Sequence, residues 1–528
     1  MTIPFLREKG SCKQLYVNGN PFLMLSGELH NSSASSEVYL EPIWGNLKEF
    51  GLNSVIVPVS WELVEPKEGV FDFSLVGNIL YKAEEYNLKL ALIWFGTWKN
   101  AASSYTPEWV KTDFARFPRV IQKDGRINGA ISCFADECEA LDARAFAALM
   151  KYIKNVDKAQ TVVMMQVQNE AGVLGTDRDY SDSANKAFEE QVPEQLFSYL
   201  AENRDTLSPY LKSIMDYDGG TGTWRQVFQI AAEEAFMAYY TAKYTETVTR
   251  AGKTEYNLPM FVNAWTVQND NEPAGQHPSG GPIADLHEIW KFAAPSIDAF
   301  APDLYLENFK DECKAYTRIK GNPLIIPELR RDQWAMGEMF YAIGQHDALC
   351  VSPFGIDSLV QRTGASSLNE LAEGGVVQEV FRNLGTSDIS ISLSKTYYVL
   401  DNLSKLIVQN QGEGKMQGFL QDRFPSHTLL TEKYSLKISY PYLSNSTDIP
   451  GGGLLIEISK DEFIFTGLNY QVQFFSRLEN NSTVELVSVE EGFFEHENWV
   501  RTRRLNGDEL AVRFNANPSI KTVKLFSY

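Results

Sequence analysis

Eight short apolar runs, separated by stretches of helical periodicity, recur through roughly the first 400 residues of this chain and limit what it can fold into. They are Phe22–Gly27, Ser54–Ser60, Leu88–Phe95, Thr161–Gln168, Met260–Trp265, Ala299–Leu304, Leu324–Pro327 and Ala348–Gly355. Most are apolar throughout rather than alternating, which is the pattern of parallel strands covered on both faces. The intervening segments read as helices: Val38–Phe50 ending at Gly51, Leu75–Tyr86, Ala143–Asn155, Trp224–Ala251, and Ser390–Gln411 closed by Gly412. Eight strand–helix units in sequence predict an α/β fold, a (β/α)8 TIM barrel preceded by a short N-terminal β extension. A doubly wound open sheet is the competing arrangement of the same pattern.

After about Gly414 the composition changes. Leu436–Tyr440, Gly453–Ile458, Glu462–Thr466, Gln471–Phe475, Thr483–Ser488 and Thr522–Phe526 are short, β-rich and bounded by Gly, Asn, Asp and Pro. They predict antiparallel strands of an all-β, sandwich-like domain. The expected division is residues 1–413 for the barrel and 414–528 for the sandwich, in keeping with a length beyond the usual single core. No Ser/Gly linker separates the halves, so the second is expected to be docked rather than tethered.

A net charge of −20 supplies no basic footprint for nucleic acid or an anionic membrane, so neither is expected as a partner. The N-terminal stretch has no apolar signal region, and five cysteines in so long a chain do not make a disulfide framework. A cytoplasmic location is the expectation. Cys133 and Cys138 have the flavour of a zinc pair, but two further ligands at suitable spacing are not evident. Plain reduced cysteines are the preferred reading, with no metal and no cofactor expected.

In such a barrel the chemistry sits at the C-terminal ends of the strands. Strand one ends in Ser26-Gly27-Glu28-Leu29-His30-Asn31, strand two in Trp61-Glu62 and strand three in Trp94-Phe95-Gly96-Thr97-Trp98. Strand four ends in Gln168-Asn169-Glu170, strand five in Asn263-Ala264-Trp265, strand six in Asp303-Leu304-Tyr305 and strand seven in Glu328-Leu329-Arg330. One rim thus collects carboxylates, amides and large aromatics. Sugars ask for that mixture: carboxylates and amides bond the hydroxyls, and flat rings cover the weakly apolar ring face. Cleaving a glycosidic bond needs two carboxyl groups across the anomeric carbon, and Glu170 and Glu328 can point into one mouth. Asn169 suits a hydroxyl beside the reacting carbon. Trp98 and Trp265 read as sugar platforms, with Trp61, Asn263, Glu28, His30 and Glu62 as further rim contacts. Tyr180, in the long segment after Glu170, is a candidate for contact with the leaving group.

The QVQNE ending of strand four and the IIPEL of strand seven resemble the clan of TIM-barrel retaining glycosidases. SGELHNS followed by PVSWELVEPKEGVFDFS resembles the β-galactosidases of families 35 and 42, over roughly residues 10–410. The segment VELVSVEEGFFEHENWVRTRRLNGDE is similar to the β-domain that follows the barrel in one bacterial subgroup of family 35. The resemblance implies Glu170 as acid/base, Glu328 as nucleophile, Asn169 as the 2-hydroxyl ligand and Tyr305 as the tyrosine that orients the nucleophile. Strand one departs from the pattern, with SGELHNS where common galactosidases carry His-Tyr-Pro-Arg.

The expected activity is a retaining, exo-acting β-glycosidase on terminal β-galactosides, its partner being an oligosaccharide or glycoside and its assembly a possible homo-oligomer. β-Glucoside specificity, or transfer of the sugar to another saccharide, uses the same residues. A non-catalytic carbohydrate-binding protein is the reading from another class. Retaining chemistry calls for a carboxyl separation of ~5–5.5 Å.

Overall fold

The computed structural model describes every residue except 1, 217–219, 268–271, 361–386, 446–447, 478–482 and 496. Eight parallel strands form the barrel: Met24–Leu25, Ser54–Ser60, Lys89–Lys99, Val162–Asn169, Met260–Trp265, Ala299–Asp303, Ile325–Leu329 and Cys350–Pro353. Strands two to six run in order through one sheet, and strands seven, eight and one through another. Parallel bridges join the two at Glu28–Ile56 and Leu304–Leu329, so the sheet closes on itself. This is the expected TIM barrel, and an open doubly wound sheet has no such closure.

The first strand is shorter than its apolar run. Its backbone pairs with strand eight as far as Glu28 N, which donates to Pro353 O over 3.0 Å. On the other side the Asn53 side chain supplements the backbone bonds to strand two (Asn53 N to Leu25 O, Ile56 N to Gly27 O), accepting from Leu25 N and donating to Leu23 O, each over 2.9 Å. Two predicted helices are also broken. Val38–Phe50 resolves into Glu37–Leu40 and Ile43–Glu49, because Pro42 caps the second segment. Trp224–Ala251 resolves into Trp224–Phe228 and Ala232–Glu255, interrupted at Gln229, whose φ of 48° is left-handed.

Side chains alternate across the barrel wall. Ala91, Ile93 and Phe95 of the third strand point inward with Ile56, Met164, Ala299 and Ala301, while Leu90, Leu92 and Trp94 face the helices. The N-terminal strands Phe5–Lys9 and Cys12–Val17 pair antiparallel, and Leu15 and Val17 close the interior cluster from below. The site therefore has one open end.

Beyond the last helix, Ser387–Asn410, a six-stranded and a four-stranded antiparallel sheet face each other. Leu454 and Ile456 of Gly452–Glu457 join the barrel core, and Leu455 between them joins the sandwich core. One sheet thus serves two cores. The helix Ala335–His346, which follows strand seven, lies against this sheet through glycines. A Cβ on Gly344 would sit 2.9 Å from Gly418 Cα, and one on Gly452 would sit 2.5 Å from Gly337 Cα. Lys310 Nζ adds bonds of 2.8 Å to Leu420 O and to Asp422 Oδ2. No helix among the described residues is long and apolar enough to cross a membrane.

Candidate active site

The third strand is bulged. Its register with strand four shifts between Trp94 and Lys99, so that Lys99 lies opposite Asn169. The buried Asp142 carboxylate, on the helix Asp136–Val156, pins this irregular path. It accepts from Trp94 Nε1 (2.6 Å), Thr97 N (3.1 Å), Thr97 Oγ1 (2.8 Å) and Gln168 Nε2 (2.7 Å). Gln168 and Glu170 both take positive φ, 63° and 44°. Each left-handed non-glycine residue raises the energy by roughly 1 kcal/mol and needs a surrounding structure that enforces it. For Gln168 that is Asp142 and the Trp98 N–H, which donates to its Oε1 over 2.9 Å. For Glu170 it is Asn263 Oδ1, which accepts from the Glu170 N–H over 2.9 Å, together with the Ala101 N–H, 3.1 Å from Glu170 O.

These turns bring Glu170 to the mouth beside Glu328. One carboxylate oxygen from each of Glu170, Asp303 and Glu328 lies within 4.8 Å of the other two, and all three residues are buried. Asn169 Nδ2 donates to Glu328 Oε1 over 3.1 Å, and Tyr305 OH donates to Glu328 Oε2 over 2.5 Å. Lys99 Nζ donates to Asn169 Oδ1 over 3.0 Å, which fixes the amide so that its N–H₂ faces Glu328. Asn263 Nδ2 lies 2.7 Å from Asp303 Oδ2 and 3.4 Å from Glu328 Oε1, so this one amide touches two of the acids and the backbone N–H of the third.

Burial pushes the Glu170 carboxyl up to about 7, with the Glu328 charge adding to the effect and Lys99 opposing it. Burial, and after it the Glu328 charge, holds Glu28 well above the ordinary carboxylate range. Both Glu28 oxygens are buried with no hydrogen-bond partner among the described residues. The arrangement offers one carboxyl poised to give up a proton near neutrality and one carboxylate held by two donors.

His30 stands at the rim, where its Nδ1 lies 2.8 Å from Asp357 Oδ1 and Arg331 Nη1 lies 3.2 Å from its Nε2. The donor Arg331 leaves Nε2 as acceptor and Nδ1–H as donor to Asp357. Phe354 packs between His30 and Tyr305, at ring distances of 5.5 and 6.5 Å. Trp265 is half-buried at the end of strand five, and its indole N–H has no partner among the described residues.

Other expected contacts lie elsewhere. Trp61 is fully buried, because the chain turns into the helix Trp61–Val64 directly after strand two; its Nε1 donates to Glu65 Oε2 over 2.9 Å. Trp98 is core as well, with its indole 3.1 Å from Ile131 O and its ring 4.5 Å from Tyr244, so it is no sugar platform. The bulge before it turns the ring away from the mouth. Glu62 pairs with Lys111 over 2.7 Å and so ties the end of strand two to the helix Glu108–Lys111. Tyr180 donates to Asp177 over 2.8 Å and carries the Arg178 guanidinium on its face at 3.8 Å, within the segment that follows strand four.

Three residues of the cluster were not singled out from the sequence: Lys99, Asp303 and Asp142. For Asp303 a signal exists, since Asp303 and Tyr305 share one face of an extended strand. Lys99 carries none, because the bulge that sets its register leaves no trace in the apolar pattern.

Comparison with known proteins adds a family resemblance. The family model of the glycoside hydrolase family 42 β-galactosidases matches residues 35–209, and a domain of unknown function, DUF5597, matches residues 393–517. Similar solved structures include the β-galactosidase of the psychrophilic Marinomonas ef1, at 14% identity and a TM-score of 0.47 over 73% of this chain and 60% of that one. The cold-adapted β-galactosidase of Rahnella sp. R3 is 15% identical with a TM-score of 0.46, over 73% of this chain and 57% of that one. The β-galactosidase of Bacillus circulans sp. alkalophilus is 11% identical with a TM-score of 0.47, over 95% of this chain and 99% of that one. The chain thus spans about three fifths of the length of the first two. No curated protein matches the chain.

Proposed function

We propose that the protein is a retaining β-glycosidase acting on terminal β-galactosides, with Glu328 as nucleophile and Glu170 as general acid/base. The observation that carries this reading is the closeness of the two carboxyl groups. One oxygen of each lies within 4.8 Å of the other, a closeness that suits direct attack on the anomeric carbon better than the wider spacing an inverting site needs for its water. The family 42 match over residues 35–209 supports the galactoside.

In this mechanism Glu328 Oε attacks the anomeric carbon while Glu170 protonates the departing glycosidic oxygen. Water then enters with Glu170 as base. Asn169, held by Lys99, offers its amide to the hydroxyl next to the reacting carbon, where a hydrogen bond strengthens in the transition state. Tyr305 keeps the attacking carboxylate oriented. Trp265 and His30 face the sugar from strand ends five and one.

Product analysis with aryl β-galactosides and aryl β-glucosides, with and without acceptor sugars, tests the assignment. Glu328→Ala abolishes turnover and azide restores part of it as a glycosyl azide of inverted configuration. Glu170→Ala slows substrates with poor leaving groups roughly 10²–10⁴-fold and spares activated aryl glycosides in the first step. Unchanged turnover in Glu328→Ala overturns the nucleophile assignment. Sugar binding without cleavage of any glycoside replaces the enzyme with a carbohydrate-binding protein.

A further inference from the structure

Four carboxyl groups, those of Glu28, Glu170, Asp303 and Glu328, act on one another across the barrel mouth, with the Lys99 ammonium facing Glu28 and Glu170. Buried carboxylates within 4.8 Å of one another cannot all be ionised, so the cluster retains protons. The hydrogen bonds say where one of them sits. Asp303 Oδ2 accepts from Asn263 Nδ2 over 2.7 Å. Its Oδ1 is buried without a donor among the described residues, and so is Oε2 of Glu170. Ionised carboxylates only accept. Two donor-less oxygens on neighbouring acids are both satisfied by one hydrogen shared between them.

We propose that Asp303 is a positioning residue that stays protonated at neutral pH and donates a hydrogen bond to Glu170, leaving the other Glu170 oxygen for the departing glycosidic oxygen. The inference rests on the reading of Glu170 as acid/base. Asp303 gives up no atom in the reaction. It supports the Glu170 carboxylate once that group has delivered its own proton, and so makes the change from acid to base easier. The surroundings keep Asp303 neutral: Glu170, Glu328, Glu28 and Tyr305 face it from the strand ends, and Tyr316 from the helix Phe309–Arg318. Burial, followed by the Glu328 and Glu170 charges, holds its carboxyl far above the usual range, while the bond from Asp303 pulls Glu170 downward.

Two variants separate a neutral Asp303 from an ionised one. Asp303→Asn keeps a donor toward Glu170 and an acceptor toward Asn263, but can carry no charge. The alkaline limb of its kcat/KM profile stays in place, whatever the change in rate. Asp303→Ala removes the donor, and the limb moves up by about 1 pH unit. A limb that falls in Asp303→Asn means that a negative charge beside Glu170 has been lost, and overturns the proposal. Infrared difference spectra of the resting protein decide it without turnover, and also if Asp303→Ala does not fold. The wild type shows a protonated-carboxyl band at neutral pH that Asp303→Asn lacks; no difference there refutes the assignment. Failure to cleave any glycoside would sink the enzymatic reading but leave the infrared result standing.

Discussion

Glu170 is held in a left-handed backbone conformation, in a buried site, beside a second acid. Each of these raises the energy of the folded chain, and the charge has a definite pH dependence. Its carboxyl moves from 4.5 up to about 7 on folding. A raised carboxyl contributes fully below its unfolded value, and that contribution is lost as pH rises through the folded one. Glu170→Gln is therefore expected to be more stable than the wild type at about pH 8, by about 3 kcal/mol, with the difference gone below about pH 4.5. Denaturant titrations at the two pH values check this. With Glu170 as the proposed acid, the alkaline limb of kcat/KM is expected near 7, which a pH–rate profile checks. Glu170 and Glu328 were legible in the sequence because both terminate apolar runs, and a strand end in a barrel has one destination. Trp61 and Trp98 were misleading for the complementary reason. One lies where the chain has already turned into a helix, and the other lies beyond a bulge, so position after a strand says nothing about direction there.

At the scale of elements, the third strand and the helix Ala335–His346 do more than their neighbours. The strand's extra length, Lys89–Lys99, delivers a cation to the mouth, and Asp142 is the clamp that makes its path possible. Asp142→Ala is expected to lower kcat far more than it changes KM for the aryl glycoside, since it releases Gln168 and with it the turn that aims Glu170; a drop confined to KM would contradict this. The helix touches the sandwich where glycine faces glycine. A Cβ on Gly418 would stand 2.5 Å from Tyr341 O, a backbone atom that cannot step aside. Gly418→Val is expected to destabilise the protein by about 3 kcal/mol, read as a drop in Tm, whereas Gly19→Ala meets nothing within 4 Å and its cost is confined to the φ of 80°. The strands were legible from their apolar runs, to within a few residues at most ends. Helix breaks were not, because Pro42 interrupts a pattern that keeps its periodicity on both sides, and nothing near Gln229 marks the turn.

For the molecule as a whole, the six-stranded sheet belongs to two cores at once. Calorimetry is expected to show one cooperative transition rather than separate melting of barrel and sandwich, and two resolved transitions would refute a shared core. His287, His346 and His427 are each pulled down by burial to about 4. A depressed histidine contributes stability above its unfolded value of 6.5, lost as pH falls through about 4, so acid weakens both halves together.

The glycine seam limits how the two halves can be recombined. Gly337, Gly344, Gly418 and Gly452 interlock across the joint, two from each side. Neither half can be traded for a relative's counterpart unless the newcomer brings matching bare backbone at the same heights. A chimaera assembled at the covalent junction alone is therefore expected to fail at this surface, however well its linker is chosen.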